Sequence, residues 1–433
     1  MPESDETAGY VPPAPTVALG RIVREWGRIG VTGFGGPPAH IALLRSLCVE
    51  RRGWIPASEF EDAIAACNLL PGPASTQLAI WCGWRLRGRV GAVVAGACFI
   101  APGLAMILAL SALFLAAHPP LVVLGAAAGA GAAVPAVAVH AAWGLAPASW
   151  KRIQAAASDR PDQVNRPDGP DHLNRPDRPD RPDHADLPDH VARKRRARAR
   201  WVGYALLGGV AAVLIGPFLV LALIGCGLVE VAVRVRPTGT VRALLLPLAL
   251  PVAGATGGVG ALVWEAFKVG ALSYGGGFVI IPLMQHDAVH TYHWMTNAQF
   301  LDAVALGQVT PGPVVLTTAA VGFAAAGYAG ALLAVAVAFS PSFAIVLLGA
   351  RHFETLRGNG RVQAFLTGAG PAVIGAIGGS AVSLALALTH GWQYAVLLAA
   401  AGWLLAVRRG VVSALVLSAA CGALLAGIGV QVG

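Results

Sequence analysis

The 433-residue chain is 56% hydrophobic and only 12% charged, and its net charge at neutral pH is +9. Soluble proteins carry about 25% charged residues. Apolar runs such as 90–117 and 121–146 are long enough to cross a bilayer. The composition excludes an ordinary soluble protein and predicts an all-α polytopic membrane protein. Because much of the charge lies in short loops, it indicates loop orientation rather than nucleic-acid binding.

The sequence also lacks the usual signs of an enzyme. Its six cysteines form no CxxC pair, there is no GxxxxGK[ST] phosphate loop, and no acid, base or metal-ligand constellation stands out. We therefore expect no catalysis, no metal and no cofactor. Residues 1–16 are acidic and rich in proline, unlike a signal peptide, and predict a disordered, cytoplasmic N-terminus.

An internal repeat organises the chain. Residues 26–73 align without a gap with residues 266–313, and 14 of the 48 positions are identical, several of them Gly, Pro or Trp. After a slip of one residue, four further pairs match: Gly83 with Gly322, Gly88 with Gly327, Gly91 with Gly330, and Pro102 with Pro341. We infer a duplication with these predicted units: 17–150, the core of the first repeat; 201–257, its remaining helices and a linker helix; and 258–433, the second repeat.

Residues 151–200 have a different composition. Arg-Pro-Asp recurs five times there, among further Pro, Asp and His. Such a segment buries too little apolar surface to fold, which predicts a disordered cytoplasmic linker. Its histidines, His172, His184 and His190, could bind a metal weakly, but a solvated spacer is the favoured interpretation.

The arginines predict opposite orientations for the two halves. Basic stretches at 85–89 and 193–200 both lie inside if the two apolar runs between them each cross once. In the second half, the loop after the GGG motif, 286–290, contains neither Lys nor Arg and is predicted to lie outside. The sequence therefore predicts an inverted repeat, a common architecture of secondary transporters.

The number of crossings depends on two motif-bearing segments in each half. If these segments cross fully, about thirteen segments span the membrane, and if they are re-entrant hairpins, about nine do. The basic loop at 45–52 lies inside only in the re-entrant version, which we favour.

Two motif pairs interrupt the apolar segments. The first is GFGGPP at 33–38, answered by SYGGG at 273–277, and the second is NLLPGP at 68–73, answered by QVTPGP at 308–313. Proline breaks helices, and a break at membrane depth must be buried in protein or line a wet cavity. The helix ends that it exposes attract anions.

The four breaks predict a binding site for a small anion near the membrane midplane, with neutral donors around it. The alternative is that these glycines and prolines only permit close helix packing. The predicted substrate-binding residues are Gly35, Gly36, Asn68, Pro71, Gly72, Pro73, Ser75, Thr76, Gln77, Lys268, Ser273, Tyr274, Gly275, Gly276, Gly277, Gln308, Thr310, Pro311, Gly312, Pro313 and Thr317.

A few ionisable residues fall within these segments. Asp62 and Asp302 are repeat mates that could relay protons, although Asp62 could equally belong to a solvated helix start. Glu265 and Lys268 could pair across one helical turn, and Lys268 could attract the anion or anchor the helix at the interface. His40, in apolar surroundings, is expected to be packed, and the same holds for His140.

At these motifs the sequence resembles the chromate ion transporter (CHR) family in its long, two-domain form. The matching residues are Phe34 to Pro37, Glu50 to Arg52 before Trp54, NLLPGP at 68–73, FKVG at 267–270, SYGGG at 273–277 and ALGQVTPGP at 305–313. The resemblance covers nearly all of 20–430. It implies two halves of opposed orientation, export of chromate across the bacterial inner membrane, and chromate resistance.

The resemblance leaves the substrate and transport mode open. Chromate and sulfate are tetrahedral dianions of similar size, so a sulfate uptake carrier is the main alternative, and an anion channel is another. The expected partners are a chromate-like or sulfate-like dianion and the lipid bilayer, and a homodimer stays open.

Overall fold

The structure is a computed structural model. It describes residues 16–68, 70–115, 119–158, 187–214, 219–234, 258–273, 277–349 and 359–431, and within these ranges every regular element is a helix. Four helices there are long and apolar enough to cross a membrane: Ala74–Phe114, Leu121–Gln154, Val314–Gly349 and Gly360–Leu386. The prediction of an all-α polytopic membrane protein is confirmed.

The helices of the two halves follow one another in a similar order. The first half contains α1 (Leu19–Thr32), α2 (Pro37–Arg45), α3 (Ala57–Cys67), α4 (Ala74–Phe114), α5 (Leu121–Ser158), α6 (Leu187–Leu214) and α7 (Leu219–Arg234). The second contains α8 (Val259–Leu272), α9 (Ile281–Gln285), α10 (Asn297–Val309), α11 (Thr317–Gly349), α12 (Gly360–Leu386), α13 (Gly391–Ala401) and α14 (Val411–Gly427).

The duplication extends to backbone dihedral angles. The PGP glycines Gly72 and Gly312 have φ values of 113° and 115°, in the left-handed region that favours glycine. Inside α4, Gly88 has φ 58° and ψ −152°, and its counterpart Gly327 in α11 has φ 61° and ψ −152°. The PGP glycines are 240 residues apart and the inner glycines 239, so the structure shows the same one-residue slip as the sequence alignment.

Each of these inner breaks reverses the helix. A Cβ atom on Gly83 would overlap the carbonyl oxygen of Gly91, and one on Gly91 would overlap that of Gly83. Gly322 and Gly330 have the same mutual contact in α11. Two helix segments can approach this closely only where neither carries a side chain, so α4 and α11 each consist of a short arm folded back against a long one.

The first 70 described residues form two hairpins that open at the same end. Val17, before α1, lies beside the end of the short arm of α4, because its N–H donates to Leu86 (3.5 Å) and its carbonyl accepts from Arg87 (3.3 Å). Glu59 near the start of α3 pairs with Arg85 of the same arm. Chain entry and exit therefore lie together, and the motif at 33–38 and the PGP motif form the opposite tips. Their re-entrant position in the membrane stays a prediction.

The long arms of α4 and α11 cross antiparallel. Gly96 of α4 packs against the Phe343 ring of α11, and Phe343 lies eight positions beyond Val335, the repeat counterpart of Gly96. The contact thus joins one position of the first repeat to a position eight residues further along in the second. A twofold relation between the halves repeats such a contact only if the two helices run in opposite directions. The halves are thus inverted, as predicted. The last helices also exchange partners, since α14 packs on α5 and α7 packs on α12.

The prediction that residues 151–200 form a disordered linker is wrong at both ends of that range, which are helical. Helix α5 continues to Ser158 and α6 begins at Leu187. Alanine and arginine favour helix there, and the two ends pack together: Trp150 contacts Trp201 edge-to-face, and Ile153 is fully buried. The Arg-Pro-Asp repeats between them, and residues 1–15, lie outside the described residues.

Candidate functional site

The tips of the two halves are joined by a pair of symmetry-related hydrogen bonds. The N–H of Gly72 donates to the carbonyl of Ser273 (2.8 Å), and the N–H of Gly312 donates to the carbonyl of Gly33 (3.1 Å). Each PGP motif of one half therefore contacts the glycine-rich break of the other. Four helix breaks converge at one place, which we call the junction.

The first half contributes three buried polar side chains to the junction. Ser75, Thr76 and Gln77 open the short arm of α4, and all three are 0% exposed. The Gln77 amide nitrogen donates to the carbonyl of Pro71 (2.6 Å). The amide oxygen Oε1 of Gln77 has no partner, and neither has Oγ1 of Thr76. A buried polar atom without a partner costs about 1–3 kcal/mol, so these atoms indicate a place for a ligand or water.

Gly72 lies at the centre of the junction. A Cβ atom there would be 2.6 Å from Nε2 of Gln77 and 2.8 Å from Oγ of Ser342. Ser342, on the long arm of α11, is fully buried and its hydroxyl has no partner. Its repeat counterpart, Gly103, packs equally closely against the carbonyl of Pro311 in the other PGP motif. Only glycine fits at residue 72.

The second half contributes two further unpaired polar groups besides Ser342. Oγ of Ser273 and Nε2 of Gln308 are buried and unpaired. The hydroxyls of Thr317 and Thr318 donate instead to backbone carbonyls one turn earlier (2.8 and 2.7 Å), and Thr310 does the same at 3.4 Å. Where the first half has polar residues after its PGP motif, the second has a buried 3₁₀ turn, Val314–Leu316.

Other predicted site residues take different positions. Asn68 ends α3 and is exposed, as are Pro71 and Gly35, whereas Pro73, Pro311 and Pro313 are buried within the PGP turns and Gly36 is half-buried. Gly277 is buried, and a Cβ on it would be 3.6 Å from Oγ of Ser273. Tyr274, Gly275 and Gly276 lie outside the described residues.

Lys268 is paired along the legs of its hairpin rather than at the tip. Its ammonium group lies 2.8 Å from Oε2 of Glu265, as predicted, and also binds Asp287 on the returning leg. All three groups are largely buried, so one cation is shared by two carboxylates. A role of Lys268 in attracting the anion stays a prediction.

The repeat counterpart of Glu265 is Glu25, which is also paired with a cation from the returning leg. Its carboxylate accepts from Arg52 at 2.8 Å, and Arg52 lies over the ring of Trp54. Arg28, the counterpart of Lys268, is exposed. In both halves, therefore, a buried glutamate pairs with a cation that joins the two legs of the first hairpin. In the first half Arg52 of the returning leg binds Glu25, whereas in the second half Lys268 lies on the helix of Glu265 and binds Asp287 on the returning leg.

The two candidate proton-relay aspartates differ in their surroundings. Asp302 of α10 packs against α5, with its Oδ1 3.2 Å from the place where a Cβ on Gly131 would lie. Asp62 is half-buried in α3, two turns from the break, and its neighbours Glu59 and Glu61 pair with Arg85 and Arg45 at the open end of the hairpin. The relay stays a prediction.

Sequence reasoning missed two residues of the junction, His40 and Ser342. His40 is fully buried, its Nε2 is 2.8 Å from the carbonyl of Gly33, and its Nδ1 is 3.2 Å from Oγ of Ser75. Each is polar where its repeat counterpart, Ile280 or Gly103, is not. That departure from the repeat was the available signal.

An inverted repeat with broken helices meeting at a buried, partly polar centre is the architecture of a membrane transporter. Comparison with known proteins agrees with this class. Residues 20–231 and 260–427 match the family described as Chromate transporter. The chain belongs to the chromate transporter family.

Curated relatives cover most of the chain. A chromate transport protein of Cupriavidus metallidurans is 29% identical over 397 residues, which is 89% of this chain and 87% of that protein. A chromate transport protein of Pseudomonas aeruginosa is 30% identical over 393 residues, 88% of this chain and 84% of that protein. A shorter relative, the uncharacterized transporter YwrB of Bacillus subtilis, is 39% identical over 113 residues, 26% of this chain and 55% of that protein. No solved structure matches.

Proposed function

We propose that this protein is a secondary transporter that exports chromate from the cytoplasm across the inner membrane and so confers chromate resistance. The observation that carries the proposal is the junction, where two crossed backbone hydrogen bonds bring four helix breaks together around buried polar atoms that have no partner. Helix ends and neutral polar groups bind an anion without fixing it by a full opposite charge, so it can also leave.

The junction lies between the tips of the hairpins, so either opening could in turn give access to it as the halves rock. We infer that the opening of the first half faces the cytoplasm, because Arg45, Arg52 and Arg85 are found there and cytoplasmic loops collect arginine. With the inside negative, outward movement of a dianion is driven by about 2.3 kcal/mol per charge per 100 mV.

Everted membrane vesicles test this function directly. Energised vesicles that contain the protein should accumulate radiolabelled chromate with saturation, and vesicles without it should not. The double variant T76V/Q77L, which removes junction groups while keeping the side-chain volumes similar, should lose most of the accumulation.

Three results would count against the proposal. Absence of accumulation would contradict export. Sulfate uptake by whole cells, with no chromate movement in vesicles, would favour the sulfate carrier. Flux that follows the membrane potential and never saturates would favour an anion channel.

A further inference from the structure

The buried pair of His40 and Ser75 has a defined hydrogen-bond direction. The carbonyl of Gly33 can only accept, so Nε2 of His40, 2.8 Å away, must carry a proton. In a neutral imidazole the other nitrogen, Nδ1, is then an acceptor. Since Nδ1 is 3.2 Å from Oγ of Ser75, the Ser75 hydroxyl must point its proton at His40.

A second proton on His40 reverses that bond. Protonated Nδ1 donates to Oγ of Ser75, and the Ser75 hydroxyl proton is then free to donate elsewhere. Ser75 stands at the beginning of the short arm of α4, next to Thr76 and Gln77 with their unpaired oxygens. The imidazole therefore decides whether the Ser75 hydroxyl is available as a further donor at the junction.

The surroundings of His40 provide no other charge. Its ring packs edge-to-face on Phe99 of α4, and its hydrogen-bond partners are the carbonyl of Gly33 after α1 and the hydroxyl of Ser75. Gly33 also ties it to the second half, because the same carbonyl accepts from the N–H of Gly312 (3.1 Å). No acidic or basic side chain contacts His40 within the described ranges. The ion pairs of Glu59 and Glu61 lie at the opposite end of the hairpin.

A buried imidazolium without a counter-charge is costly. An anion at the junction would supply that counter-charge, and it would accept the hydroxyl proton that the imidazolium releases from its bond. Binding of the proton and of the anion should therefore favour each other, by the same factor in both directions.

We propose that His40 is the proton-binding site of this transporter and that Ser75 transmits its protonation to the anion, so that one proton is taken up with each oxyanion bound. The inference rests on the proposed function, since the ligand is the same oxyanion at the same junction. The proton moves onto Nδ1, and no covalent bond to the anion forms or breaks. His40 acts here through Ser75 as a positioning residue.

The test is equilibrium binding of radiolabelled chromate to the purified full-length protein at pH 6 and pH 8, for wild type and the variants H40Q, S75A and H140Q. Glutamine can keep the bond to Gly33 and accept from Ser75, but it cannot take up a proton. His140 of α5, outside the junction, is the matched control. Chromate itself titrates near this range, but that contribution is the same for every variant, so differences between variants isolate the protein.

We expect the ratio of Kd at pH 8 to Kd at pH 6 to be about tenfold larger in wild type than in H40Q, which is about 1.4 kcal/mol of coupling. S75A should lose the same pH dependence, and H140Q should keep it. If H40Q does not fold, S75A alone decides the matter. Retention of the wild-type ratio by H40Q or S75A would overturn the inference. A Kd ratio that is the same in wild type and H40Q would refute the coupling and leave the proposed function intact, whereas absence of binding at any pH would refute the proposed function.

Discussion

At the junction the first half begins its short arm with Ser75, Thr76 and Gln77, whereas the second half reaches the same point through the apolar turn Val314–Leu316. The PGP turns themselves are alike, with φ values of 113° and 115° at the two PGP glycines. The duplication has thus kept the PGP turn in both halves, but polar residues follow that turn directly only in the first half. We expect an anion to contact mainly the first half.

The largest expected effect comes from Gly72. G72A forces a positive φ on alanine and places its Cβ against Gln77 and Ser342, so transport should be abolished. G312A should be milder, because the nearest atom to its Cβ is the flexible end of Leu316, 3.0 Å away. The measurement is chromate accumulation in vesicles at matched protein level.

The control for backbone strain alone is G36A, where φ is also positive (73°) but no atom lies within 4 Å of the added Cβ. Equal loss of transport in G72A and G36A would mean that the crowded centre around Gly72 has no special role.

A second contrast concerns the ion pairs that hold the hairpin legs. K268A leaves the buried carboxylates of Glu265 and Asp287 without their cation, which should lower the free energy of unfolding by about 3–5 kcal/mol. R52A removes a cation whose side chain is 41% exposed, so solvent screens the pair and can replace the cation at Glu25, and the loss should be smaller than in K268A. Thermal unfolding in detergent compares the two variants. Equal losses would contradict the different burial of the two pairs.

The repeat, the helix breaks and the inverted halves could be predicted from the sequence, because glycine and proline announce special backbone conformations locally and the arginine pattern indicates orientation. The crossed bonds of Gly72 and Gly312 could not, since each joins segments about 200 residues or more apart in the chain. His40 was expected to be merely packed because its partner Ser75 lies 35 positions away.

The polar side chains that follow the two PGP motifs should contribute differently to chromate binding. T76V/Q77L should weaken chromate binding by at least about tenfold, because it removes buried groups that a ligand would satisfy. T317V/T318V removes hydroxyls that already donate to backbone carbonyls. That pair should change affinity less than threefold and lower stability by about 1–2 kcal/mol instead. Equilibrium binding on both double variants decides, and a larger affinity loss in T317V/T318V would reverse the assignment.

Among the unpaired groups, the smallest effect is expected at Ser342, where a single hydroxyl is buried. S342A should weaken chromate binding by about threefold to fivefold, as for loss of one neutral hydrogen bond, while stability stays the same or rises because an unsatisfied polar group is gone. Binding and thermal unfolding on the same preparation separate these readouts. Lower stability with unchanged affinity would assign Ser342 to packing.

Anomalous X-ray scattering from chromium would locate the substrate itself, in crystals of the wild-type protein and of T76V/Q77L grown with chromate. The account predicts one strong peak at the junction, within hydrogen-bonding distance of the first-half polar groups Ser75, Thr76 and Gln77, and its disappearance in the double variant. A peak elsewhere in the protein, or one at the junction that persists in T76V/Q77L, would contradict it.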